Sequence, residues 1–518
     1  MDAMSRLIAS DAVARLRAHD TSLYSTDYDT RKKIGERLGW TDLAEKAPGR
    51  FTLLENLAAQ VVAEGCDDLV LLGMGGSSLA PLVLAGIAGP GAGFPRMHVL
   101  DTTCPRTVLG LLDSLDQERT FFVLASKSGT TIEPNYLYAI ARAWTEERLA
   151  RPAAGKRFIV VTDPGSALEK TRQRELMRVT LPGVQNVGGR FSALSMFGLA
   201  PAALIGVDLA EYVRIARDME LACALPAEQN PAARLAAWVF DSFQTCRDKL
   251  TLVCSPSLRP FGLWVGQLVA ESTGKDGTGI VPVLEDDVAA EPGYGDDRAV
   301  FVLRTADDAA LAEWAEAMRR TAPVEEVVLE APIAIGAEFV RWEYATALLG
   351  HLLEVNPFDE PDVTEAKKAT AAILGGTAQV LHASDDVADT WVTFAGALDR
   401  PDGGPGSVTG AVAHLLATIE PPDYLAMLAY LPYDESLLAP LREAWRQVGR
   451  TTRNATCFEL GPRYLHSTGQ LHKGGPDTGA FVLVTARDRT DTLVPGQPHT
   501  LGALFRAQAE GDLAALAT

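Results

Sequence analysis

Phe121-Phe122-Val123-Leu124-Ala125-Ser126-Lys127-Ser128-Gly129-Thr130-Thr131 joins an unbroken apolar run to a turn of hydroxyls. A short apolar run without polar alternation, closed by a turn, is the mark of a strand buried on both faces, as in a parallel sheet. Leu69-Val70-Leu71-Leu72-Gly73, Met97-His98-Val99-Leu100-Asp101 and Phe158-Ile159-Val160-Val161-Thr162 have the same character. The stretches between them are long enough for crossover helices. The spacing predicts a doubly wound α/β domain over residues 51–230. The pattern returns at Leu250-Thr251-Leu252-Val253-Cys254, at Ala299 to Leu303 and at Glu326 to Leu329, which starts a second α/β domain. Tyr424 to Leu431 and Ala480 to Ala486 read as further strands, so this domain is expected to run over residues 231–518 with a C-terminal extension. Residues 1–50 read as a polar helical cap, and Asp399-Arg400-Pro401-Asp402-Gly403-Gly404-Pro405-Gly406 as a surface loop.

A chain of 518 residues is too long for one core, and 47% hydrophobic with 22% charged residues is ordinary for a globular enzyme. The formal charge of −20 argues against nucleic acid or an anionic membrane surface as partner, since both need a basic face. An anionic substrate would therefore have to meet a local positive site. Cys66, Cys104, Cys223, Cys246, Cys254 and Cys457 show no metal-ligand spacing and read as reduced thiols. Met1 to Asp20 has no apolar leader segment, and no run approaches the ~18 apolar residues of a membrane span. A cytoplasmic protein is expected.

Gly73-Met74-Gly75-Gly76-Ser77-Ser78 follows the first strand and opens a helical pattern. Glycines permit a tight turn, and amides at a helix start can bind an anion. The string lacks both the third glycine of a dinucleotide fingerprint and the lysine of a Walker loop. It reads either as an anion loop or as a structural turn. Ser126, Lys127, Ser128, Thr130 and Thr131 offer side-chain donors where open α/β sheets place their ligands, a setting suited to a phosphate. Gly188-Gly189-Arg190-Phe191-Ser192 places a permanent cation behind two glycines; it could meet an oxyanion or lie on a surface loop. Gln267 and Glu271 lie four apart in the helical pattern Phe261 to Glu271, hence on one face, which is either a pocket wall or a helix edge. In a pocket, burial would raise the Glu271 pKa and nearby cations would lower it.

In this order the motifs resemble the glucose-6-phosphate isomerase family, built from two sugar-isomerase (SIS) αβα-sandwich domains with mainly parallel sheets. The matching pieces are the Gly-Gly-Ser loop at Ser77, the Ser-Lys-Ser-Gly-Thr-Thr loop, Gly-Gly-Arg-Phe-Ser and Glu271-Ser272-Thr273-Gly274-Lys275. A fifth is Asn356-Pro357-Phe358-Asp359-Glu360-Pro361-Asp362-Val363-Thr364-Glu365-Ala366-Lys367. In this last segment Glu360 stands where the family usually has Gln, and Asp362 where it has Gly. An extra carboxylate there would repel a phosphate unless protonated or paired with Lys367. The family's Leu-His-Ser-x-Gly-Gln segment normally precedes the lysine motif. Here Leu465-His466-Ser467-Thr468-Gly469-Gln470 follows it by about a hundred residues. That order resembles the isomerase half of transaldolase–isomerase fusion proteins, with nothing like the transaldolase half ahead of it.

The resemblance implies an aldose–ketose isomerase acting on glucose 6-phosphate and fructose 6-phosphate, in glycolysis and gluconeogenesis, with no metal or organic cofactor. Ser77, Ser126, Lys127, Ser128 and Thr131 would hold the phosphate. His466 and Lys367 would assist ring opening, and Glu271 would carry the proton between C2 and C1 through a cis-enediolate. Arg190 would stabilise that intermediate, and Gln267 would orient the sugar hydroxyls. Of the eight histidines, His466 is favoured by its motif, with His472 as the alternative. Two other readings remain: an isomerase that also accepts mannose 6-phosphate, and a non-catalytic SIS module that binds a sugar phosphate to regulate a partner. The family's common forms are homodimers sharing the histidine between subunits, from which the relocated His466 departs.

Overall fold

The structure, a computed structural model, describes the chain apart from residues 286–287, 289–292, 377–383, 388–389, 394, 396–400, 402–403, 487–488 and 518. The side chains of 363–366, 384–387 and 390–392 are likewise outside the description. Asp399, Arg400, Asp402 and Gly403 of the expected surface loop, and His382, lie outside the described residues.

The first sheet is parallel throughout. Its strands are β1 (Asp68–Leu72), β2 (Arg96–Leu100), β3 (Thr120–Ala125), β4 (Phe158–Thr162) and β5 (Val179–Pro182), in the order β2-β1-β3-β4-β5. Every residue of β1, β3 and β4 is buried, whereas the edge strands β2 and β5 are partly exposed. That is why the central strands read as unbroken apolar runs: helices cover both faces. The second sheet, also parallel, comprises β6 (Lys249–Cys254), β7 (Val281–Glu285), β8 (Arg298–Thr305) and β9 (Val324–Leu329), ordered β7-β6-β8-β9.

β10 (Ser384–Val387) and β11 (Thr390–Thr393) form an antiparallel hairpin. The C-terminal strands do not extend the second sheet. β12 (Tyr424–Tyr430), β13 (Ala455–Leu460) and β14 (Gly479–Thr485) form a third parallel sheet, ordered β13-β12-β14. Its central strand β12 is wholly buried.

Between the sheets runs the helix Arg259–Thr273, which packs on the helices Ile335–Leu353 and Leu79–Ala88. Trp264 meets Phe339 edge-on with ring centroids 4.6 Å apart, and Phe261 stacks on Trp264 at 5.4 Å. From Phe261 to Thr273 only Leu263 is not fully buried. A helix buried on nearly every side belongs inside the protein, and its buried polar residues, Gln267, Glu271, Ser272 and Thr273, then call for partners.

The N-terminal 50 residues are helical, but more than a polar cap. Leu7, Leu16, Ile34, Leu38 and Trp40 enter the main core. Trp40 stacks on Phe191 at 4.9 Å, Tyr344 donates from its hydroxyl to the Thr41 carbonyl at 2.6 Å, and Gly39 N–H donates to the Asn186 carbonyl at 2.8 Å. This segment therefore braces Phe191, the residue next to Arg190. All six cysteines are reduced, and all but Cys246 are buried. Among the described residues no helix is long and apolar enough to cross a membrane, and no group of His, Cys, Asp and Glu could hold a metal ion.

Candidate active site

Three loops meet at the carboxyl end of the first sheet, where parallel strands deliver their ligand-binding turns. The loop after β1 bends at Gly75 with φ of +51°. A Cβ there would lie 2.6 Å from the His466 carbonyl oxygen and 2.8 Å from Gln267 Nε2, and one on Gly76 would overlap the Gly189 carbonyl. Glycine is therefore required on two counts, a left-handed turn and the close approach of the Gly188–Ser192 and Leu465–Ser467 segments. The latter segment is fastened by Arg463, which donates from Nε and Nη2 to the buried Asp101 carboxylate just after β2, at 2.7 and 2.9 Å.

The loop after β3 folds on its own hydroxyls. Gly129 N–H donates to Ser126 Oγ at 3.2 Å, Ser126 Oγ lies 3.5 Å from Thr131 Oγ1, and Ser128 Oγ lies 2.8 Å from Thr130 Oγ1. Gly129 has φ of +70°, and Thr131 begins the helix Ile132–Glu146. The Lys127 ammonium is not directed at this nest as expected. It forms a short ion pair with Asp163 and donates to the Gln185 carbonyl at 3.0 Å, tying the loop to the ends of β4 and β5.

Glu271 and Gln267 project together from the buried helix face. Arg190 reaches Glu271 Oε2 through Nη1 at 3.3 Å and Ser272 Oγ through Nε at 2.8 Å. Its Nη2 donates to the carbonyls of Pro357 and Asp359 at 2.7 and 2.9 Å. Gln267 Nε2 lies 3.4 Å from Glu271 Oε2 and donates to the His466 carbonyl at 2.8 Å. Burial pushes the Glu271 carboxyl up to about 7, with Arg190 opposing and Glu360 adding to the rise. A carboxyl that gains and loses a proton near neutrality is suited to moving one. Lys275, buried beyond the same helix, is pushed down to about 8 by burial and by Arg190. It donates to the Asn356 and Asp359 carbonyls at 2.7 Å each.

On the other side of the site, His466 Nε2 lies 2.9 Å from Glu133 Oε1, which also accepts from Gln508 Nε2 at 2.8 Å. Burial alone would raise Glu133, but the His466 imidazole outweighs it and holds the carboxyl below its usual range, with Lys367 adding to the effect. Lys367 itself is exposed, on the helix Val363–Leu374. His466 thus meets Glu133 and Gln267 of its own chain. His472 does not enter the site: it is enclosed by the Tyr424 hydroxyl at 2.8 Å and Glu459 at 3.3 Å.

The phosphoglucose isomerase family model matches residues 59–291. A glucose-6-phosphate isomerase of Rubrobacter xylanophilus is 31% identical over 373 residues, spanning 62% of this chain and 85% of that protein. The chain belongs to the phosphoglucose isomerase family. A second member, from Thermus thermophilus, is 30% identical over 394 residues, spanning 67% of this chain and 92% of that one. A solved structure of a hypothetical protein from the same organism superposes with a TM-score of 0.61 at 27% identity, covering 72% of this chain and 97% of its own. A solved glucose-6-phosphate isomerase of Chlamydia trachomatis shares the fold, with a TM-score of 0.57 at 17% identity, covering 72% of this chain and 85% of its own.

Within this candidate site the structure brings together Glu271, Gln267, Arg190 and the His466 segment. Glu360 pairs not with Lys367 but with Arg190, Oε2 to Nη1 at 3.1 Å. Asp362 pairs with Gln470, which also donates to the Gly274 carbonyl at 2.9 Å. Sequence reasoning missed Glu133, Lys275 and Gln508. Glu133 was open to detection, two residues past the hydroxyl loop. However, an acid in a first helical turn usually needs no partner beyond the helix dipole. Gln508, in the last long helix, carries no local signal.

Proposed function

We propose that the chain is a glucose-6-phosphate isomerase, interconverting glucose 6-phosphate and fructose 6-phosphate by proton transfer through a cis-enediolate. The observation that carries this reading is Glu271: a buried carboxyl held near neutrality, touching Arg190 and sharing a helix face with Gln267. A module that only bound sugar phosphate would gain nothing from a base so poised.

The phosphate is held by Ser77 of the loop after β1 and by Ser126, Ser128 and Thr131 of the loop after β3, with Lys127 anchoring the second loop through Asp163. His466, oriented by Glu133, and Lys367 assist ring opening, between them delivering a proton to the ring oxygen and taking the proton of the anomeric hydroxyl. Glu271 then takes the proton from C2 and returns it to C1. The charge that develops on the enediolate oxygens is met by Arg190, and Gln267 orients the adjacent hydroxyls. Glu133, Arg190, Gln267, Glu271 and His466 are neighbours within one chain, and a homodimer belongs to the same reading. The division into a helical segment 1–50 and two SIS domains, 51–230 and 231–518, is part of the same reading.

The test is a coupled assay of fructose 6-phosphate conversion, run with EDTA and extended to mannose 6-phosphate. Absence of any turnover on the first substrate would refute the assignment.

A further inference from the structure

A guanidinium carries five N–H donors. In Arg190 all are engaged: Nε by Ser272, Nη2 by the carbonyls of Pro357 and Asp359, and Nη1 by two carboxylates, Glu271 at 3.3 Å and Glu360 at 3.1 Å. An oxyanion arriving at Arg190 must take over a donor already in use. Leaving the Pro357 carbonyl would strand a buried acceptor, the Asp359 carbonyl shares the same Nη2, and Glu271 is itself enclosed, its side chain 9% exposed against 40% for Glu360. Of the two carboxylates on Nη1, Glu360 is the one that exchanges the guanidinium for water at small cost.

The backbone beneath Glu360 is held firmly. The Asp359 carbonyl accepts from both Arg190 and Lys275, and Asn356 Nδ2 bonds the Asp359 carboxylate at 2.7 Å. The Glu360 side chain can therefore swing without the loop moving.

We propose that Glu360 is a displaceable counter-anion that occupies the Arg190 donor until the negatively charged enediolate takes its place. The proposal rests on the isomerase reading above. One anion leaves as another arrives, so the charge beside Arg190 is conserved while the guanidinium stays oriented throughout. A neutral sugar hydroxyl competes poorly with a carboxylate for this donor, whereas an oxyanion competes well. The exchange is therefore driven by the charged intermediate and not by the bound substrate, and it keeps the donor filled and oriented at the expense of some affinity for the intermediate. Glu360 acts through Arg190 and is a positioning residue.

The decisive experiment is calorimetric binding of two phosphorylated ligands to the whole protein and to Glu360→Gln. One is an aldonate phosphate, whose carboxylate imitates the enediolate charge; the other is the neutral alditol phosphate. With the charged competitor removed, the aldonate should bind about tenfold tighter and the alditol should change by less than about twofold. Glu360→Ala, which removes the side chain altogether, should show the same split.

A second readout is the acid limb of kcat/KM. Arg190, Lys275 and His466 face Glu271 and favour its ionised form, while Glu360 and burial oppose it. Glu360→Gln should therefore move the limb to lower pH, which a merely structural role would not do. Equal tightening of both ligands, or none, overturns the proposal. A wild-type protein that binds both ligands but never turns over fructose 6-phosphate would instead sink the isomerase reading, with the binding split still deciding the role of Glu360.

Discussion

Glu271→Gln separates chemistry from folding. Glutamine keeps the shape and hydrogen-bonding reach of the neutral carboxyl but accepts no proton, and loss of a general base costs about 10²–10⁴-fold in turnover. The same change should not weaken the fold. The Glu271 carboxyl is raised from 4.5 to about 7 in the folded protein. A raised acid gives its full stabilising contribution below its unfolded pKa and loses it as the pH climbs through about 7. Above that pH the folded protein bears a burial penalty of roughly 3 kcal/mol at ~1.4 kcal/mol per unit, as an upper bound. Glutamine, always neutral, escapes that penalty, and Arg190 retains Glu360, Ser272 and the two carbonyls as partners.

Two outcomes are expected together. In the coupled assay Glu271→Gln should lose about three orders of magnitude in kcat. In urea titrations at pH 8 it should equal or exceed the wild type in stability, with the difference fading towards pH 5. The wild-type kcat/KM should fall about tenfold per unit below pH 7 as the base is protonated. Retention of more than about a tenth of the wild-type turnover would refute the base assignment. A marked loss of stability at pH 8 would refute the account of its environment.

Ser126→Ala with Thr131→Ala should raise KM for the phosphorylated sugar and weaken inhibition by inorganic phosphate, each lost charge-assisted bond costing about 1.5–3 kcal/mol. An unchanged KM would move the phosphate to the Gly73–Ser78 turn. His466→Ala should slow conversion of the cyclic sugar phosphate far more than that of a four-carbon aldose phosphate, which has no ring to open. His472→Ala should instead lower stability by about 1–3 kcal/mol without such a split, because its partly buried bonds to Tyr424 and Glu459 would be lost. Glu343, buried in the helix Ile335–Leu353 with no hydrogen-bond partner for Oε1, is held neutral by burial well above the usual carboxylate range. Glu343→Gln should therefore raise the Tm at pH 8, with the gain vanishing near pH 4.5; an equal Tm at pH 8 would argue against it.

The buried central strands of the first two sheets were legible in the sequence because strands covered on both faces must be apolar at every position, whereas the third sheet was not, since β12 and β14 read as part of the second domain and β13 went unread. The hydroxyl loop and the helix face shared by Gln267 and Glu271 were legible for a similar reason: turn chemistry and the helical period are local. The partners of the charged groups were not. Lys127 and Asp163, Arg190 and Glu360, and His466 and Glu133 are separated by 36, 170 and 333 residues. Which carboxylate meets which cation depends on where loops from different sheets converge, and nothing in the local pattern of either residue encodes it. The sequence by itself therefore determined the buried central strands, the motifs and the kind of chemistry. Only the tertiary structure decided that the relocated histidine returns to the site, through Asp101 and Arg463, and that burial brings Glu271 to neutrality, because desolvation and pairing are properties of the packed interior.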